Sequence, residues 1–354
     1  MFALKLRLTS TAPAHARVGP ALALCVAALL LAGCARPPAF SAAPPAASVA
    51  DVHVRAPGQE GAPADATSFM LRPLPGTDGA VLQALQRAER TPPLRYRVVV
   101  VPGSGCAGLA PIADRYFAGL LHAQVLVLHK PGVDPRARTA PGDCTRGFVQ
   151  QDRLSTWLAH ARAALRADAV QRQGEPALPL VLVGISEGAE LLPSLATAVQ
   201  GTAPVAALVL LSGSGLDPRE AGALQAERLG ASADWRRIGQ AVASPAPDSQ
   251  ALQGRSLGYW RDLWAWPLAQ PLRDGPWPLL QTWGDADALV PPAAYEAFAQ
   301  RMQGRAAPWC VLRLSGADHG LQGPAGDGVQ RVWARLEAWA RAPARGLCAP
   351  VPAP

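Results

Sequence analysis

The sequence predicts an α/β domain built on one mostly parallel sheet with helices on both faces. Six short apolar, β-branched runs recur between Arg95 and Leu314, and most end at Gly, Pro or Ser. Helical patterns separate several of them. The runs are continuously apolar, which fits strands covered on both faces. Strand, helix and strand in repetition is the pattern of a parallel sheet.

Arg95–Val101 reads as a buried strand ended by Pro102-Gly103, and Gln124–His129 as a second ended by Pro131-Gly132. Leu178–Ile185 is a third, and Val205–Leu211 a fourth ended by Ser212-Gly213. Leu279–Trp283, ended by Gly284, and Trp309–Leu314, ended by Ser315-Gly316, complete the set. Asp152–Ala167 predicts a helix, because Leu154, Trp157, Leu158, Ala161 and Leu165 recur at helical spacing. Ala189–Gln200, Ala293–Met302 and Val329–Ala340 predict three more. Upstream, Thr67–Leu74 reads as a first strand and Gly79–Arg90 as a helix.

The stretch from Leu216 to Asp274 breaks this rhythm and has no clear strand. It holds Trp235, Tyr259, Trp260, Trp264 and Trp266, and predicts a largely helical cap over the strand ends. Large rings serve a cap either as its own core or as a face toward a ligand, and the sequence leaves both open.

The first 33 residues read as a leader. Lys5, Arg7 and Arg17 precede an apolar run from Val18 to Ala32, with no acidic residue among them. That run is about 15 residues, short of the roughly 20 a helix needs to span a bilayer. It ends in Leu31-Ala32-Gly33-Cys34, which resembles the lipobox of bacterial lipoproteins. The resemblance implies cleavage before Cys34 and acylation of that residue. Several acyl chains, at about 0.8 kcal/mol per buried CH₂, would hold the protein on a membrane. Ala35 follows Cys34 where an Asp would resemble an inner-membrane retention signal, so the outer membrane is the expected address. An ordinary secretory leader with a chance Cys is the alternative.

Residues 34–66 are rich in Pro, Ala and Gly and predict a tether, since so few large apolar side chains cannot offset the entropy of ordering. The folded domain is expected over residues 67–348, with the cap at about 216–274. The whole chain carries 33 Lys and Arg against 26 Asp and Glu, and three of the basic residues lie in the leader. The remaining excess is small and forms no run, which argues against a nucleic-acid partner. Outside the leader, Cys34 aside, the cysteines are Cys106, Cys144, Cys310 and Cys348. An even number in an exported protein predicts disulfides. Of three pairings, Cys106–Cys144 and Cys310–Cys348 each join segments close in the chain. A zinc site is the rival, without C-x-x-C or H-x-x-x-H spacing to support it.

Gly184-Ile185-Ser186-Glu187-Gly188 lies between the third strand and a helix. A G-x-S-x-G at that junction forces a sharp turn that lifts the Ser hydroxyl clear of the sheet edge. Small residues two before and two after keep the turn free of collisions. A Ser hydroxyl needs a base to take its proton, and the base needs an orienting carboxylate. His319 ends the sixth strand, where ligands bind in open α/β sheets. His129 also sits at a strand end. Asp285 and Asp287 both follow the fifth strand, and the residues alone leave either as the acid.

These segments, in this order from about Arg95 to Ala340, resemble the α/β-hydrolase family. Gly284-Asp285-Ala286-Asp287-Ala288-Leu289-Val290-Pro291 is similar to its G-x-x-D-x-x-V-P segment, which selects Asp287. Gly316-Ala317-Asp318-His319-Gly320 resembles its G-x-x-H-G segment, which selects His319. Pro102-Gly103-Ser104-Gly105-Cys106 looks like its H-G-x loop, with Pro102 in place of the usual His. The resemblance assigns the oxyanion hole to the backbone N–H groups of Ser104 and Glu187, with Gly105 as the other candidate. His129-Lys130-Pro131-Gly132-Val133-Asp134 resembles a loop that shapes the pocket wall, and Lys130 reads there as a solvated lysine, with binding of a carboxylate as the alternative. Glu187 and Glu190 are favourable near a helix start, and one of them could instead bind a substrate's ammonium group.

The expected function is hydrolysis of an ester or related acyl bond in a small-molecule substrate, through an acyl-enzyme on Ser186. No metal or organic cofactor is implied. A serine peptidase or a thioesterase of the same fold is the alternative within the class. A non-catalytic envelope-binding lipoprotein is the alternative outside it.

Overall fold

The computed structural model describes residues 68–140 and 143–350. The expected leader over residues 1–33, the expected acylation site at Cys34 and the expected tether over 34–66 lie outside the described residues.

In chain order the elements begin with strands β1 (Met70–Pro75), β2 (Val81–Arg87) and β3 (Tyr96–Val101). Helix α1 (Ala110–Tyr116), β4 (Ala123–Leu128), α2 (Arg146–Gln151), α3 (Leu154–Gln171) and β5 (Leu180–Ile185) follow. A 3₁₀ turn, Ser186–Leu191, leads into α4 (Leu192–Ala198) and then β6 (Val205–Leu211). The insertion holds α5 (Pro218–Arg228), α6 (Ser232–Val242), a ribbon of β7 (Ala251–Leu252) and β8 (Arg255–Ser256), α7 (Leu257–Ala265) and α8 (Ala269–Asp274). The chain continues through β9 (Leu279–Gly284), α9 (Pro292–Arg301), β10 (Trp309–Leu314), a ribbon of β11 (Gln322–Gly323) and β12 (Gly326–Asp327), and α10 (Gly328–Arg341).

Every residue of β3 is buried. Val98 and Val100 join one hydrophobic layer, Val99 and Val101 the other. Side chains alternate across a strand, so a run apolar at every position is one with both faces dry. One layer packs Leu154, Trp157 and Leu158 of α3 and Leu195 of α4 on the sheet. The opposite layer packs Ala113 and Phe117 beside α1 and Val332, Trp333 and Leu336 of α10.

The main sheet has eight strands in the order β1-β2-β4-β3-β5-β6-β9-β10. β2 runs antiparallel to both of its neighbours, and every pair from β4 to β10 is parallel. β5 lies in the middle, between β3 and β6. The six expected strands all form, within two residues of their expected ends.

Gly79–Arg90 corrects the sequence reading: most of it is β2, not a helix. Val81, Leu82, Ala84 and Leu85 mimic helical spacing, and Leu and Ala favour helices. In the fold, Leu82 and Ala84 face one apolar layer and Leu85 the other. The antiparallel ladders to β1 and β4 satisfy the backbone and cover the β4 edge, which outweighs local propensity.

Residues 216–274 form the expected helical insertion with one short ribbon. Trp235 packs against Trp264 at 4.7 Å and Trp260 at 6.0 Å between ring centroids, so these rings are the insertion's own core. Trp266 instead donates from its indole nitrogen to the Glu190 carbonyl at 2.9 Å and ties the insertion to the turn after β5.

Both disulfides pair as the sequence suggests. Cys106–Cys144 has Cα atoms 5.7 Å apart and fastens the loop after β3 to the segment before α2. Cys310–Cys348, at 5.5 Å, fastens β10 to the C-terminal segment. None of these four sulfurs is then a free thiolate for zinc. Among the described residues no helix is long and apolar enough to cross a membrane.

Candidate active site

β5 delivers Ser186 at its C-terminal end, and Ser186 has φ +52°, a region an L side chain rarely adopts. The two flanking glycines make the turn feasible. A Cβ at Gly184 would lie 2.3 Å from the Ala189 Cα, and one at Gly188 2.0 Å from the Val101 carbonyl oxygen. Neither position has room for a side chain. The Ser186 turn therefore seats directly on the end of β3.

Asp287 follows β9 and is almost fully buried. Its Oδ1 accepts from the backbone N–H groups of Leu289 (2.7 Å) and Val290 (3.0 Å). Its Oδ2 accepts from the Tyr295 hydroxyl at 3.2 Å and lies 2.8 Å from His319 Nδ1. Tyr295, on α9, is held by stacking on Trp283 of β9 at 4.5 Å and 5°. Burial pushes the Asp287 carboxyl up, but His319 and the two backbone donors outweigh it and hold the group below the usual carboxylate range.

His319 follows β10. Its Nε2 lies 3.0 Å from the Ser186 Oγ. An ionised carboxylate only accepts, so Nδ1 carries the proton and Nε2 is left to accept from the Ser186 hydroxyl. The His319 carbonyl accepts from the Ser212 hydroxyl at 2.7 Å. Ser212 stands at the end of β6 with φ +55°. The structure thus brings Ser186 into one hydrogen-bonded line with His319 and Asp287, each more than a hundred residues further along the chain.

Asp285 lies elsewhere. It pairs with Arg313 at 3.2 Å and accepts from the Gly316 N–H at 2.5 Å, away from His319. His129 is also accounted for. Its Nε2 accepts from the Leu109 N–H at 3.1 Å, and burial pushes its pKa down to about 4, so it serves as a neutral acceptor holding the loop after β3. That loop runs beside Ser186: a Cβ on Gly103 would sit 3.4 Å from the Ser186 Cβ. Ser104 is the next residue, and Glu187 is the second residue of the 3₁₀ turn, whose first N–H groups have no acceptor earlier in the turn.

Lys130 departs from its expected place. It is only 3 % exposed, not solvated. Its ammonium donates to Asp152 Oδ1 at 2.8 Å and to Glu187 Oε1, and lies 4.7 Å from the centre of the Trp157 ring. Glu187 Oε2 accepts from the Tyr259 hydroxyl at 2.5 Å. Both Glu187 oxygens are therefore taken, which removes this side chain as the ammonium receptor. Glu190 is also buried, and its Oε2 lacks a hydrogen-bond partner. Burial, with the Glu187 charge beside it, pushes the Glu190 carboxyl up to about 8.

Tyr295, Ser212, Asp152 and Arg255 were not legible as site neighbours in the sequence. One compositional signal existed for the buried cluster: the chain has two lysines, Lys5 and Lys130, in a background of arginine.

Sheet order, the single reversed strand, the Ser186 turn and the inserted helices define an α/β-hydrolase fold. Solved structures share it. Est1E from Butyrivibrio proteoclasticus with ferulic acid bound aligns with TM-score 0.52 and 17% identity, over 75% of this chain and 97% of that one. A puromycin-hydrolyzing peptidase of Mycobacterium tuberculosis aligns with TM-score 0.50 and 18% identity, over 77% of this chain but 38% of that one. A Staphylococcus aureus protein of unknown function aligns with TM-score 0.50 and 15% identity, over 77% and 98%. At these identities the likeness is one of fold. No protein-family model and no curated protein matches the sequence.

The packing of the turn has a direct consequence. Gly188→Ala puts a methyl group on the Val101 carbonyl and is expected to lower unfolding free energy by about 3 kcal/mol or more. Urea unfolding followed by circular dichroism measures this, and a neutral substitution would contradict the seating of the turn on β3.

Proposed function

We propose that this protein is a serine hydrolase that cleaves a carboxylic ester or related acyl bond. The hydrogen-bonded line Ser186–His319–Asp287 carries the reading. A hydroxyl 3.0 Å from an imidazole nitrogen whose other nitrogen faces a buried carboxylate is arranged for proton transfer.

In this mechanism the Ser186 Oγ attacks the acyl carbon while His319 Nε2 takes its proton. Asp287 stabilises the imidazolium through Nδ1 without taking that proton. The N–H groups of Ser104 and Glu187 hold the oxyanion of the tetrahedral intermediate. The intermediate collapses, the leaving alkoxide receives the proton from His319, and an acyl-enzyme remains. Water, deprotonated by His319, then releases the acid and restores Ser186.

The fold is shared with Est1E, which binds ferulic acid, and with a puromycin-hydrolyzing peptidase, and one fold hosts many chemistries. An uncharged ester is the favoured substrate, because both Glu187 oxygens are already occupied and Glu190 is held near neutrality. A peptidase acting beside a free amino group is the second reading, supported by the unpartnered Glu190 oxygen.

We further propose that residues 1–33 are a cleaved leader and that acylated Cys34 holds the domain at the outer membrane. Leu31-Ala32-Gly33-Cys34 supports this. Cells fed radiolabelled palmitate should label the native chain and not a Cys34→Ala variant; equal labelling of both would refute the anchor.

A fluorophosphonate is expected to label the native protein and leave Ser186→Ala unlabelled. Against a panel of acyl esters, aminoacyl amides and thioesters, Ser186→Ala should lose about 10,000-fold or more in rate on the best substrate. Amides outrunning esters would transfer the assignment to the peptidases. No labelling and no turnover on any member would favour a binding protein that has kept the fold.

A further inference from the structure

Beneath the Ser186 turn, polar side chains from four other segments of the chain meet Glu187 out of solvent. Lys130 comes from the loop after β4, Asp152 from the break between α2 and α3, Arg255 from β8 and Tyr259 from α7. Lys130 bridges Asp152 Oδ1 and Glu187 Oε1. Arg255 reaches the other Asp152 oxygen at 2.5 Å, and Tyr259 donates to the other Glu187 oxygen at 2.5 Å. The Arg255 guanidinium lies 4.7 Å from the centre of the Tyr259 ring, which closes the circuit. Two cations face two carboxylates, and all four carboxylate oxygens have a donor.

This arrangement is costly unless complete. Removing one partner of a buried ion pair strands the other charge out of water. It also sits where charge matters. Glu187 is the residue whose N–H is assigned to the oxyanion, and an unneutralised carboxylate on the same residue would oppose the negative charge developing there. Two of the five groups, Arg255 and Tyr259, belong to the inserted helical region, so the same contacts join that region to the turn.

We infer that Lys130 is a positioning residue for the reaction: it holds and neutralises the Glu187 side chain so that the Glu187 N–H stays aimed at the oxyanion. Asp152, Arg255 and Tyr259 extend that restraint into the cap. The inference rests on the hydrolase reading and on Glu187 as an oxyanion donor.

The groups facing the Glu187 carboxylate are Lys130, Asp152, Arg255, Tyr259 and, on its own turn, Glu190. Burial alone would push the Glu187 carboxyl up, and Lys130 is the largest of the charges that hold it below the usual carboxylate range. Loss of the Lys130 charge leaves burial in command, so Glu187 then takes up a proton as pH falls through the working range.

Lys130→Met is therefore expected to lower kcat on a 4-nitrophenyl acyl ester by about 10-fold or more, with KM little changed. Its kcat–pH profile should gain an ionisation, shifted up from the native position of Glu187, beyond those of the native enzyme. The double variant Lys130→Met/Glu187→Gln should lose that added ionisation, because residue 187 no longer titrates. Tyr259→Phe removes one hydroxyl from the same carboxylate and guards against a Lys130→Met protein that does not fold. It should lower kcat several-fold at near-constant KM.

Lys130→Met with native kcat and native pH profile would overturn the inference. So would an added ionisation that persists in the double variant, or a Tyr259→Phe effect confined to KM. Fluorophosphonate labelling of the native protein, run alongside, separates the two levels. Labelling with unaffected variants rejects the role of Lys130 alone, whereas absent labelling rejects the hydrolase reading and this inference with it.

Discussion

The backbone at Ser186 is the constraint on which the rest of the structure depends. A non-glycine residue at φ +52° costs on the order of 1–3 kcal/mol, and it persists only where its surroundings leave no alternative. Here the surroundings are the two central ladders of the sheet. β5 is paired on both sides, by β3 and β6, up to the residue or two before Ser186. The ends of both neighbours then touch the turn. Gly188 lies on the Val101 carbonyl at the end of β3, and a Cβ on Gly213, just past β6, would sit 2.6 Å from the Ala189 Cβ. The strain is thus distributed over the stiffest part of the fold, and its product is a hydroxyl displayed at the C-terminal edge of the sheet.

What the turn displays, two more strand ends complete. Asp287 and His319 arrive after β9 and β10, which lie beyond β6 from the Ser186 strand. Their loops are pinned by ordinary backbone contacts: Asp287 Oδ1 by the N–H groups of Leu289 and Val290, the His319 carbonyl by the Ser212 hydroxyl. The depressed Asp287 carboxyl means that its ion is favoured in the fold and that its contribution to stability is present above its unfolded pKa. That contribution is lost as pH falls through the folded value. The buried circuit around Lys130 does for the Glu187 side chain what these contacts do for the other two residues.

Much of this was legible in the sequence, for a physical reason. A strand buried on both faces must be apolar at nearly every position, so β3, β4, β5, β6 and β9 announce themselves, while the half-exposed edge strand β10 was legible from its apolar run ended by Ser315-Gly316. A G-x-S-x-G at a strand–helix junction is legible because Gly184 and Gly188 answer to contacts that tolerate no Cβ. The pairing of four cysteines followed from chain proximity. β2 was misread because Val81, Leu82, Ala84 and Leu85 satisfy two periodicities, and only the neighbouring strands decide between them. Lys130 was misread because charge at a strand end is usually solvated, and its partners Asp152 and Glu187, like the Arg255 that pairs with Asp152, come from scattered segments. Such partnerships are properties of the assembled sheet and cap. No local pattern encodes them.

The central claim is chemical: the Ser186 oxygen becomes covalently acylated. The most direct measurement is an acid-quenched reaction with a 4-nitrophenyl ester, followed by peptide mass mapping. The account predicts one acyl mass addition, located on Ser186, appearing within a turnover and decaying as the acid is released. An acyl group mapped to any other residue, or steady turnover with no adduct under conditions where the alcohol is released in a burst, would contradict it.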